Sequence, residues 1–368
     1  MEIVVEKLEL QRAVSKVQGV AEKKSTYPIL SHLLIDADQD RAFIRATDLQ
    51  VEIQECFKAR VLEAGRICIP AKKLYDIIRE FPVQDVYIKE RENFWTEITC
   101  DRISISLPGL DPKDFPAFPG GGGEYFSSNA NLLKDMSEKV IFATSSQESS
   151  LNLHGILFEV FFKGHDPFLR MVATDGHRLA IVEEKITGAR EEEQFIVPRR
   201  GLSELRRLFD EEETIEVKTA ENSLKFASPN SILSVRLLEG QFPDYKHVLP
   251  RELEKKALVN RKELLSALRR AEILASERGE GVKFFLSKNT MELNAGGGDI
   301  GNFSEKLDIR YDGEDIKIVF NGRYLIDALN VIDTELIRFE LRDSESAGLI
   351  KPEDDENYIY LVMPMKIS

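Results

Sequence analysis

The chain has 368 residues, of which 42% are hydrophobic and 31% are charged, and its formal net charge at pH 7 is −14. The length predicts two or three domains, the hydrophobic fraction excludes wholesale disorder, and the negative charge, taken at face value, argues against a nucleic-acid partner. Three scattered cysteines and five histidines favour neither a disulfide framework nor a metal site, and we expect no cofactor.

The beginning of the chain is typical of a mature cytoplasmic protein. In MEIVVEKLEL, Glu2 and Glu6 stand where a signal peptide has a basic end followed by an apolar stretch. No apolar run approaches the roughly 20 residues that span a bilayer. The sequence therefore predicts a cytoplasmic protein with no membrane partner.

In chain order, the predicted elements form a pattern that occurs three times. Each copy opens with a helical stretch whose apolar residues return every three or four positions: LQRAVSKV (10–17), LLKDMSEKV (132–140) and LLSALRRAEIL (264–274). An alternating strand that ends in ATD follows at 46–48 and at 173–175, and FFLSKNTMELNA (284–295) has the equivalent place in the third copy.

A second helix follows a short strand in each copy: ICIPAKKLYDIIREF (67–81), FIVPRRGLSELRRLF (195–209) and IVFNGRYLIDALNVI (318–332). The strands stop at Pro70, Pro198 and Asn321, and setting these in register gives offsets of 128 and 123 residues. The register aligns three sets of apolar residues, namely Leu74 with Leu202 and Leu325, Ile77 with Leu205 and Ala328, and Phe81 with Phe209 and Ile332.

This repeat predicts three tandem domains of similar α+β fold. The glycine-rich PGGGG (119–123) and the polar LPRELEKK (249–256) are the expected joints, so we place the domains at 1–122, 124–250 and 251–368. Alternating strands predict antiparallel sheets with one buried face. AGGGDIG (295–301) fits a hairpin turn between strands, and neither glycine run has the Gly-Lys-Ser/Thr ending of a phosphate-binding loop.

The charges are unevenly divided between the predicted helices and the rest of the chain. The helical segments carry a net charge of +9, which leaves −23 for all other residues; they are 10–24, 70–80, 131–140, 198–209, 261–271 and 321–333. A basic helical surface in an acidic chain suits sequence-independent contact with DNA phosphates. The alternative is that these are ordinary solvated charges, since helices favour Lys and Arg.

Seven motifs stand in an order and spacing that match a known family. They are TYPILSHLL (26–34), ATDLQVEI (46–53), IPAKKLYDII (69–78), ATDGHRLA (173–180), IVPRRG (196–201), GQFPDYKHVLP (240–250) and YLVMPMKIS (360–368). From end to end the chain resembles the bacterial DNA polymerase sliding clamps, the family of the DNA polymerase III β subunit.

The resemblance implies the DNA clamp fold in a head-to-tail ring homodimer, with paired helices lining the hole and antiparallel sheets on the outside. It implies a non-catalytic processivity factor that encircles and slides on duplex DNA. The implied partners are a second copy of the chain, double-stranded DNA, the replicative DNA polymerase catalytic subunit, the clamp loader and clamp-motif peptides of repair proteins.

The resemblance also implies a partner-peptide pocket between the second and third domains. Its residues are Leu153, Thr174, Gly176, His177, Arg178, Leu179, Pro243, His247, Val248, Leu361, Val362, Met363, Pro364 and Met365. Leu, Val and Met side chains make an adaptable apolar surface. We expect His177 and Arg178 to donate to a bound peptide, and Asp175 to cap a turn.

The stretch VATDGHRLAIV (172–182) also permits a catalytic interpretation. A hydrolase or transferase could use His177 as a general base oriented by Asp175, with Arg178 beside them. No Gly-X-Ser-X-Gly motif or paired cysteine supplies a nucleophile, and Gly176 between the two residues indicates a turn. A β-rich scaffold that does not bind DNA is the second alternative.

DNA contact is assigned to two sets of residues. The resemblance gives Lys24, Gln147 and Arg200, and the charge pattern adds Arg12, Lys16, Lys73, Arg199, Arg206, Arg207, Arg269 and Arg270. The loop SSQESSLN (145–152) lacks the aromatic and basic residues that some family members carry there, which leaves its contact with DNA open.

Ring closure requires the first domain of one subunit to meet the third domain of the other, in a contact repeated twice. DRISISL (101–107) is the expected edge strand, because Ile103 and Ile105 alternate with polar residues. By resemblance Ile103 meets Ile273 and Leu274 across the interface, with Lys73 and Arg102 paired to carboxylates.

Overall fold

The computed structural model describes residues 1–21, 26–39, 41–117, 124–145, 153–209, 214–220, 222–250, 253–278, 280–297 and 301–365. Within these ranges one order of elements occurs three times: a strand, a helix, four strands, a second helix and three strands. The first copy has one additional short strand. The threefold repeat predicted from the sequence is therefore a repeat of structure.

The first copy has helices α1 (Lys7–Val17) and α2 (Ala71–Glu80). Its strands are β1 (Glu2–Glu6), β2 (His32–Asp38), β3 (Arg41–Thr47), β4 (Val51–Lys58), β5 (Arg60–Glu63), β6 (Gly65–Pro70), β7 (Asp85–Glu90), β8 (Thr96–Cys100) and β9 (Ile103–Leu107). Helix α1 forms because Leu10, Val14 and Val17 return at helical spacing and are fully buried. It ends well before the predicted limit of 24, since Gly19 disfavours helix and the Arg207 guanidinium fills the space beside it.

The second copy has helices α3 (Ala130–Ile141) and α4 (Arg199–Leu208). Its strands are β10 (Glu124–Asn129), β11 (Gly155–Lys163), β12 (Asp166–Thr174), β13 (Arg178–Lys185), β14 (Glu193–Pro198), β15 (Thr214–Ala220), β16 (Ser223–Ala227) and β17 (Ser231–Arg236). Pro198 ends β14 and α4 begins at the next residue, because a proline without an N–H is tolerated just before a helix.

The third copy has helices α5 (Arg261–Arg278) and α6 (Gly322–Asn330). Its strands are β18 (Lys255–Asn260), β19 (Val282–Ser287), β20 (Thr290–Gly296), β21 (Asn302–Asp308), β22 (Ile316–Phe320), β23 (Leu336–Leu341), β24 (Gly348–Pro352) and β25 (Tyr358–Val362). Two asparagines cap its helices: the Asn260 side chain accepts from the amides of Lys262 and Glu263, and the Asn321 side chain from that of Arg323.

The aligned apolar positions of the second helices lie in the core with one exception. The leucines at 74, 202 and 325 are buried, as are Phe81, Phe209 and Ile332. In α2, however, Ile77 is only half-buried and Ile78 is buried in its place, whereas Leu205 and Ala328 of the other copies are buried. The register holds on both sides of this position, at Leu74 and Phe81, so only the side chain that is buried between them differs.

The chain divides into two compact units. The first comprises Met1–Lys134, Ile186–Arg190 and Arg200–Leu237, and the second comprises Asp135–Lys185, Glu191–Arg199 and Leu238–Ser368. The division passes through the middle copy of the repeat. Its strands β10 and β15–β17 join a sheet with the first copy through the β17–β4 pair, and β11–β14 join a sheet with the third copy through the β13–β25 pair.

The first unit contains a five-stranded sheet, β5-β1-β7-β8-β9, and the first eight-stranded sheet, β10-β15-β16-β17-β4-β3-β2-β6. Strand β9 is the last strand of the five-stranded sheet and pairs within it only with β8. Helix α1 packs on the first eight-stranded sheet, chiefly against β4, and buries its apolar face there.

The second unit contains the second eight-stranded sheet, β14-β11-β12-β13-β25-β24-β23-β18, and a four-stranded sheet, β21-β20-β19-β22, in which β21 is the edge. The strands of both units pair antiparallel wherever pairs are described. Strands β20 and β21 pair antiparallel, and the Gly297 amide donates to the Gly301 carbonyl at 2.9 Å; residues 298–300 of the predicted hairpin turn lie outside the described residues. The predicted α+β fold class is confirmed, and no described helix has the length and apolarity needed to cross a membrane.

Candidate functional site

A tight turn joins β12 and β13 at the stretch that the sequence singled out. Gly176 has φ +88°, in the left-handed region that favours glycine. Asp175 Oδ1 accepts from the amides of His177 and Arg178 at 3.0 and 3.1 Å. Thr174 Oγ1 donates to the Arg178 carbonyl at 2.6 Å and accepts from the Gly176 amide at 3.1 Å. Asp175 therefore caps the turn, as the sequence predicts.

The Arg178 guanidinium is bonded inside the protein. Its Nε donates to Asp175 Oδ2 at 3.0 Å, Nη1 to Asp327 Oδ2 at 2.6 Å and Nη2 to the Phe142 carbonyl at 2.7 Å, and its centre lies 4.3 Å from the centre of the Tyr324 ring. Burial alone would lower the pKa of Arg178, but the two carboxylates raise it. Each of the three guanidinium nitrogens of Arg178 thus has a partner inside the protein, and its donation to a bound peptide stays a prediction.

Strand pairing brings together two predicted segments that are far apart in the sequence. Arg178 is opposite Val362 and Leu179 is opposite Leu361 in the β13–β25 pair. Beyond the strand, the Met363 amide donates to the His177 carbonyl at 2.9 Å. The turn and the C-terminal segment therefore form one continuous surface of the second eight-stranded sheet.

The predicted pocket residues differ widely in exposure. Leu179 and Leu361 belong to a buried apolar cluster with Leu157, Val172, Ile181, Ile196, Tyr245, Leu253 and Leu349. Val248 and Met363 are large apolar side chains that remain 53% and 43% exposed. The other exposed members are Gly176, His177, Pro243 and His247, and the half-buried ones are Leu153, Thr174, Pro364 and Met365.

Four members of the predicted pocket are buried. These are Arg178, Leu179, Leu361 and Val362. The remaining members are exposed or half-buried. The sequence could not separate the two groups because strand residues were assigned by motif, without knowledge of which face is covered.

The catalytic alternative is not supported by this geometry. Both oxygens of Asp175 accept from the backbone amides of the turn or from Arg178 Nε, so the carboxylate holds the turn and does not orient the His177 ring. In the part of the chain that the structure describes, no group of three His, Cys, Asp or Glu side chains could hold a metal ion.

The basic side chains of α1 converge on one buried carboxylate. Arg12 Nη1 and Lys16 Nζ lie 3.0 and 3.3 Å from Glu55 Oε1, which belongs to β4. Burial raises the pKa of Glu55, although Ser231, Lys16 and Arg12 act to lower it. Arg12 also contacts Glu9, so both predicted DNA-contact residues of α1 are partly neutralised within the protein.

The basic residues of α4 are partly paired as well. Arg200 Nη2 lies 2.6 Å from Asp48 Oδ2, and Arg207 Nη2 lies 2.7 Å from Glu204 Oε2 and donates to the Lys16 carbonyl at 3.1 Å. Arg199 and Arg206 have exposed side chains on the same helix.

The two neighbouring arginines of α5 differ in their partners. Arg270 donates to both carboxylate oxygens of Glu305, whereas Arg269 Nη2 donates to the neutral side-chain oxygen of Asn330 at 2.8 Å. Lys73 on α2 is exposed, and Lys24 and Gln147 lie outside the described residues. The basic helices predicted from the sequence are present. Because several of their basic side chains are paired with carboxylates, these helices offer a ligand less positive charge than the number of basic residues suggests.

The predicted interface residues lie at the β9 edge of the five-stranded sheet, on α2 and on α5. Ile103 begins the edge strand β9 and is 39% exposed, while Ile105 is half-buried. Arg102 is exposed beside it. On α5, Ile273 is 67% exposed and Leu274 is half-buried. The edge position predicted for 101–107 is thus observed, with the strand itself limited to Ile103–Leu107.

Sequence reasoning missed the residues that hold the turn in place. Asp327 and Tyr324 on α6 and the carbonyl of Phe142 surround Arg178, although Asp327 is 149 residues away in the chain. Their one sequence signal is that Tyr324 and Asp327 are three residues apart on a predicted helix and so share a face. That spacing does not reveal the arginine that they contact.

Comparison with known proteins gives matches over the whole chain. Family models described as the N-terminal, central and C-terminal domains of the DNA polymerase III beta subunit match residues 1–119, 128–244 and 246–366. The beta sliding clamp of Vibrio cholerae is 32% identical over 370 residues, with both chains covered completely.

Solved structures agree with these matches. The DNA polymerase sliding clamp of Pseudomonas aeruginosa has a TM-score of 0.93 at 32% identity, and both chains are fully covered. The sliding clamp of Bartonella birtlesii, crystallised with griselimycin, has a TM-score of 0.94 at 31% identity with the same coverage. The similarity therefore includes all three copies of the repeat.

Proposed function

Since the chain belongs to the DNA polymerase III β subunit family, the bacterial sliding clamps, we propose that two copies close head to tail into a ring around duplex DNA. A sliding clamp is a processivity factor and not an enzyme, and this is the role of the chain. The observation that carries the proposal is the match of all three domains in order over the full length. Enclosure keeps a tethered polymerase at a high effective concentration near the primer end without tight contacts to bases.

The free edges of the two terminal sheets support ring closure. Strands β9 and β21 each lack a partner on one side within the described residues, and an unpaired edge favours pairing with another chain. Ile103 on one copy and Ile273 and Leu274 on the other would cover each other, with Lys73, Arg102 and Ile105 beside them. Such a contact joins the first domain of one copy to the third domain of the other. Two such contacts close the dimer into a ring without open ends.

We assign three domains to the ring subunit, at 1–122, 124–250 and 251–368, with the helices facing the DNA. The charge concentrated on α1, α4 and α5 supports this orientation, because a duplex attracts basic side chains irrespective of sequence. The acidic remainder of the chain would repel DNA from the outer surface. We place the ring in the cytoplasm, where its DNA is.

The surface formed by Val248 and Met363 is the proposed contact for partner peptides. Both are apolar and exposed, and in the sequence they stand close to Tyr245 and Leu361, which belong to the buried apolar cluster. Such a surface suits several related peptides, as methionine adapts its shape to different ligands. The replicative polymerase, the clamp loader and repair proteins are the partners that we assign to it.

Encirclement is tested by retention on DNA of two topologies. We expect the protein, loaded by its clamp loader, to stay on nicked circular DNA and to leave after one cut linearises the circle, because a ring slides off the ends. Gel filtration after the cut measures the retained fraction. Equal retention on circular and linear DNA would contradict the ring.

The peptide surface is tested separately. Met363→Ala is expected to weaken binding of a peptide from the polymerase catalytic subunit by about tenfold, as loss of a central apolar contact does. Val83→Ala is the matched control, because Val83 is an apolar residue of the first unit that is 69% exposed. Unchanged affinity of the Met363 variant would remove this assignment and leave the ring untouched.

A further inference from the structure

The turn at 47–51 repeats the turn at 174–178 bond for bond. Asp48 Oδ1 accepts from the amides of Gln50 and Val51 at 2.9 and 2.7 Å, and Thr47 Oγ1 accepts from the Leu49 amide at 3.0 Å and donates to the Val51 carbonyl at 3.1 Å. Leu49, with φ +73°, takes the place of the glycine. A leucine in this region is strained, and such strain concentrates at functional sites.

The strand register extends the equivalence of the two turns to the neighbouring strands of the first eight-stranded sheet. Thr47 is opposite Glu52, Glu52 is opposite Ser234, and Ser234 is opposite Lys225. These four side chains form one row across β3, β4, β17 and β16, on a single face of the sheet.

The matching row of the second eight-stranded sheet is apolar. There Thr174 is opposite Leu179, Leu179 is opposite Leu361, and Leu361 is opposite Leu349. The rows of the two sheets thus correspond position by position. Leu179, Leu361 and Leu349 of the second sheet correspond to Glu52, Ser234 and Lys225 of the first.

The polar row borders a cavity of about 430 Å³ that lies wholly within the first unit. Glu52, Ser223, Ser234 and Arg236 form its polar side, and Leu49 and Pro116 are among its apolar residues. Its volume falls in the range of small-ligand sites, which combine an apolar lining with a few convergent polar groups.

Glu52 is the side chain of this cavity whose burial its described contacts do not explain. Its side chain belongs to a residue that is 6% exposed, and among the described residues its Oε1 has no hydrogen-bond partner. Burial raises the pKa of Glu52 to about 8, and the charges of Arg45 and Lys225 only partly oppose this. The carboxyl therefore keeps a proton at neutral pH, and a buried group of this kind calls for a partner.

We propose that this cavity binds a carboxylate that carries an adjacent apolar group. The exposed Arg236 guanidinium matches a carboxylate in shape and charge, and Glu52 and Ser234 offer hydrogen bonds to it from the sheet. Leu49 and Pro116 contact the apolar part. The site shares no residue with the peptide surface at Val248 and Met363, so it stands independently of that assignment.

Two sources supply this chemistry, namely an acidic residue within a peptide and a free small acid. The probes are the peptide acetyl-Gly-Leu-Asp-amide and 4-methylpentanoate, and 4-methylpentanamide is the control without the charge. Binding to the full chain is followed by NMR of selectively labelled methyl groups, with Leu49 and Val51 as reporters. Shifts caused by the peptide alone assign the site to a peptide, and shifts caused by the free acid as well assign it to a small molecule.

Variants test the named contacts. Arg236→Gln and Glu52→Leu, which installs the residue of equivalent position 179, are each expected to weaken acid binding by about tenfold, whereas Met363→Ala leaves it unchanged. Glu52→Gln retains a donor and is expected to bind at pH 7 and pH 9 alike, while the parent protein loses affinity as pH rises past 8. The charges of Arg45 and Lys225 act on Glu52, and Arg236 lines the same cavity, in all these variants except where replaced.

Three results would overturn the proposal. These are the absence of methyl shifts with either acid, equal binding of the uncharged amide, and undiminished binding by Arg236→Gln.

Discussion

Glu52 and Glu55 are three residues apart on β4 and therefore point to opposite faces of the sheet. Glu55 has Arg12, Lys16 and Ser231 as partners, which oppose the rise of its pKa that burial causes. For Glu52 the neighbouring cations oppose burial only in part, which accounts for its pKa of about 8. Burial raises the pKa of both carboxyls, and the partners around each one decide how far its pKa rises.

The pKa of Glu52 predicts a pH dependence of stability. Between its ordinary pKa of 4.5 and about 8, the unfolded chain has released the proton and the folded chain keeps it, so the free energy of unfolding falls as pH rises. Glu52→Gln is expected to remove this decline, which is on the order of 4 kcal/mol. Urea denaturation at pH 5 and pH 9 measures it. Glu63→Gln, an exposed change on β5, should retain the decline, and an equal decline in both variants would contradict the assignment.

Arg178 supports the turn by joining two carboxylates and a backbone carbonyl. Arg178→Met removes the charge but keeps most of the volume, which leaves Asp175 and Asp327 without their partner. We expect the free energy of unfolding to drop by about 3–5 kcal/mol, because breaking a buried ion pair leaves an uncompensated charge. Arg310→Met, at an exposed site, should change it little. Denaturant titration of both variants distinguishes this structural role from that of a ligand donor, which would leave stability unaffected.

Among the elements, those with local signals could be predicted from the sequence. The helices beginning after Pro70 and Pro198 and the turn capped by Asp175 depend on residues within a few positions of each other. The limits of α1 and the ion pairs of Arg178 and Glu55 could not be predicted. Their partners are distant in sequence, and nothing in spacing or composition indicates which strands become neighbours.

The edge position of strand β9 leads to a prediction about the dimer. Ile103→Lys introduces a charge that remains solvated in the monomer but is unfavourable in a strand-to-strand contact. We expect the dimer dissociation constant to rise at least about tenfold, with circular dichroism unchanged. Light scattering over a dilution series measures it.

Tyr87→Lys is the control for this change. Tyr87 is a similarly exposed apolar residue on β7, inside the same five-stranded sheet, where it has neighbours on both sides. A dimer that survives Ile103→Lys and dissociates in the control would show that the contact lies elsewhere.

For the whole molecule, the threefold repeat was visible because each copy keeps its own helix and strand pattern. The sequence did not reveal that the middle copy is divided between two compact units, because this depends on the pairing of β17 with β4 and of β13 with β25. The same pairings create the two equivalent rows, one apolar and one polar. A repeat in sequence thus predicts which positions are equivalent. The side chains at those positions decide whether each one packs in the apolar core or lines a binding site.

The charge of the helices leads to a prediction about DNA. Arg269 and Arg270 are neighbours on α5, but Arg270 is neutralised by Glu305 whereas Arg269 bonds the neutral Asn330. Arg269→Gln is therefore expected to weaken retention on nicked circular DNA and to reduce the slope of log retention against log salt by about 0.9 for each lost phosphate contact. Arg270→Gln should change the slope less, because the pair with Glu305 already offsets its charge. Equal slopes for both variants and the parent protein would mean that α5 does not face the duplex.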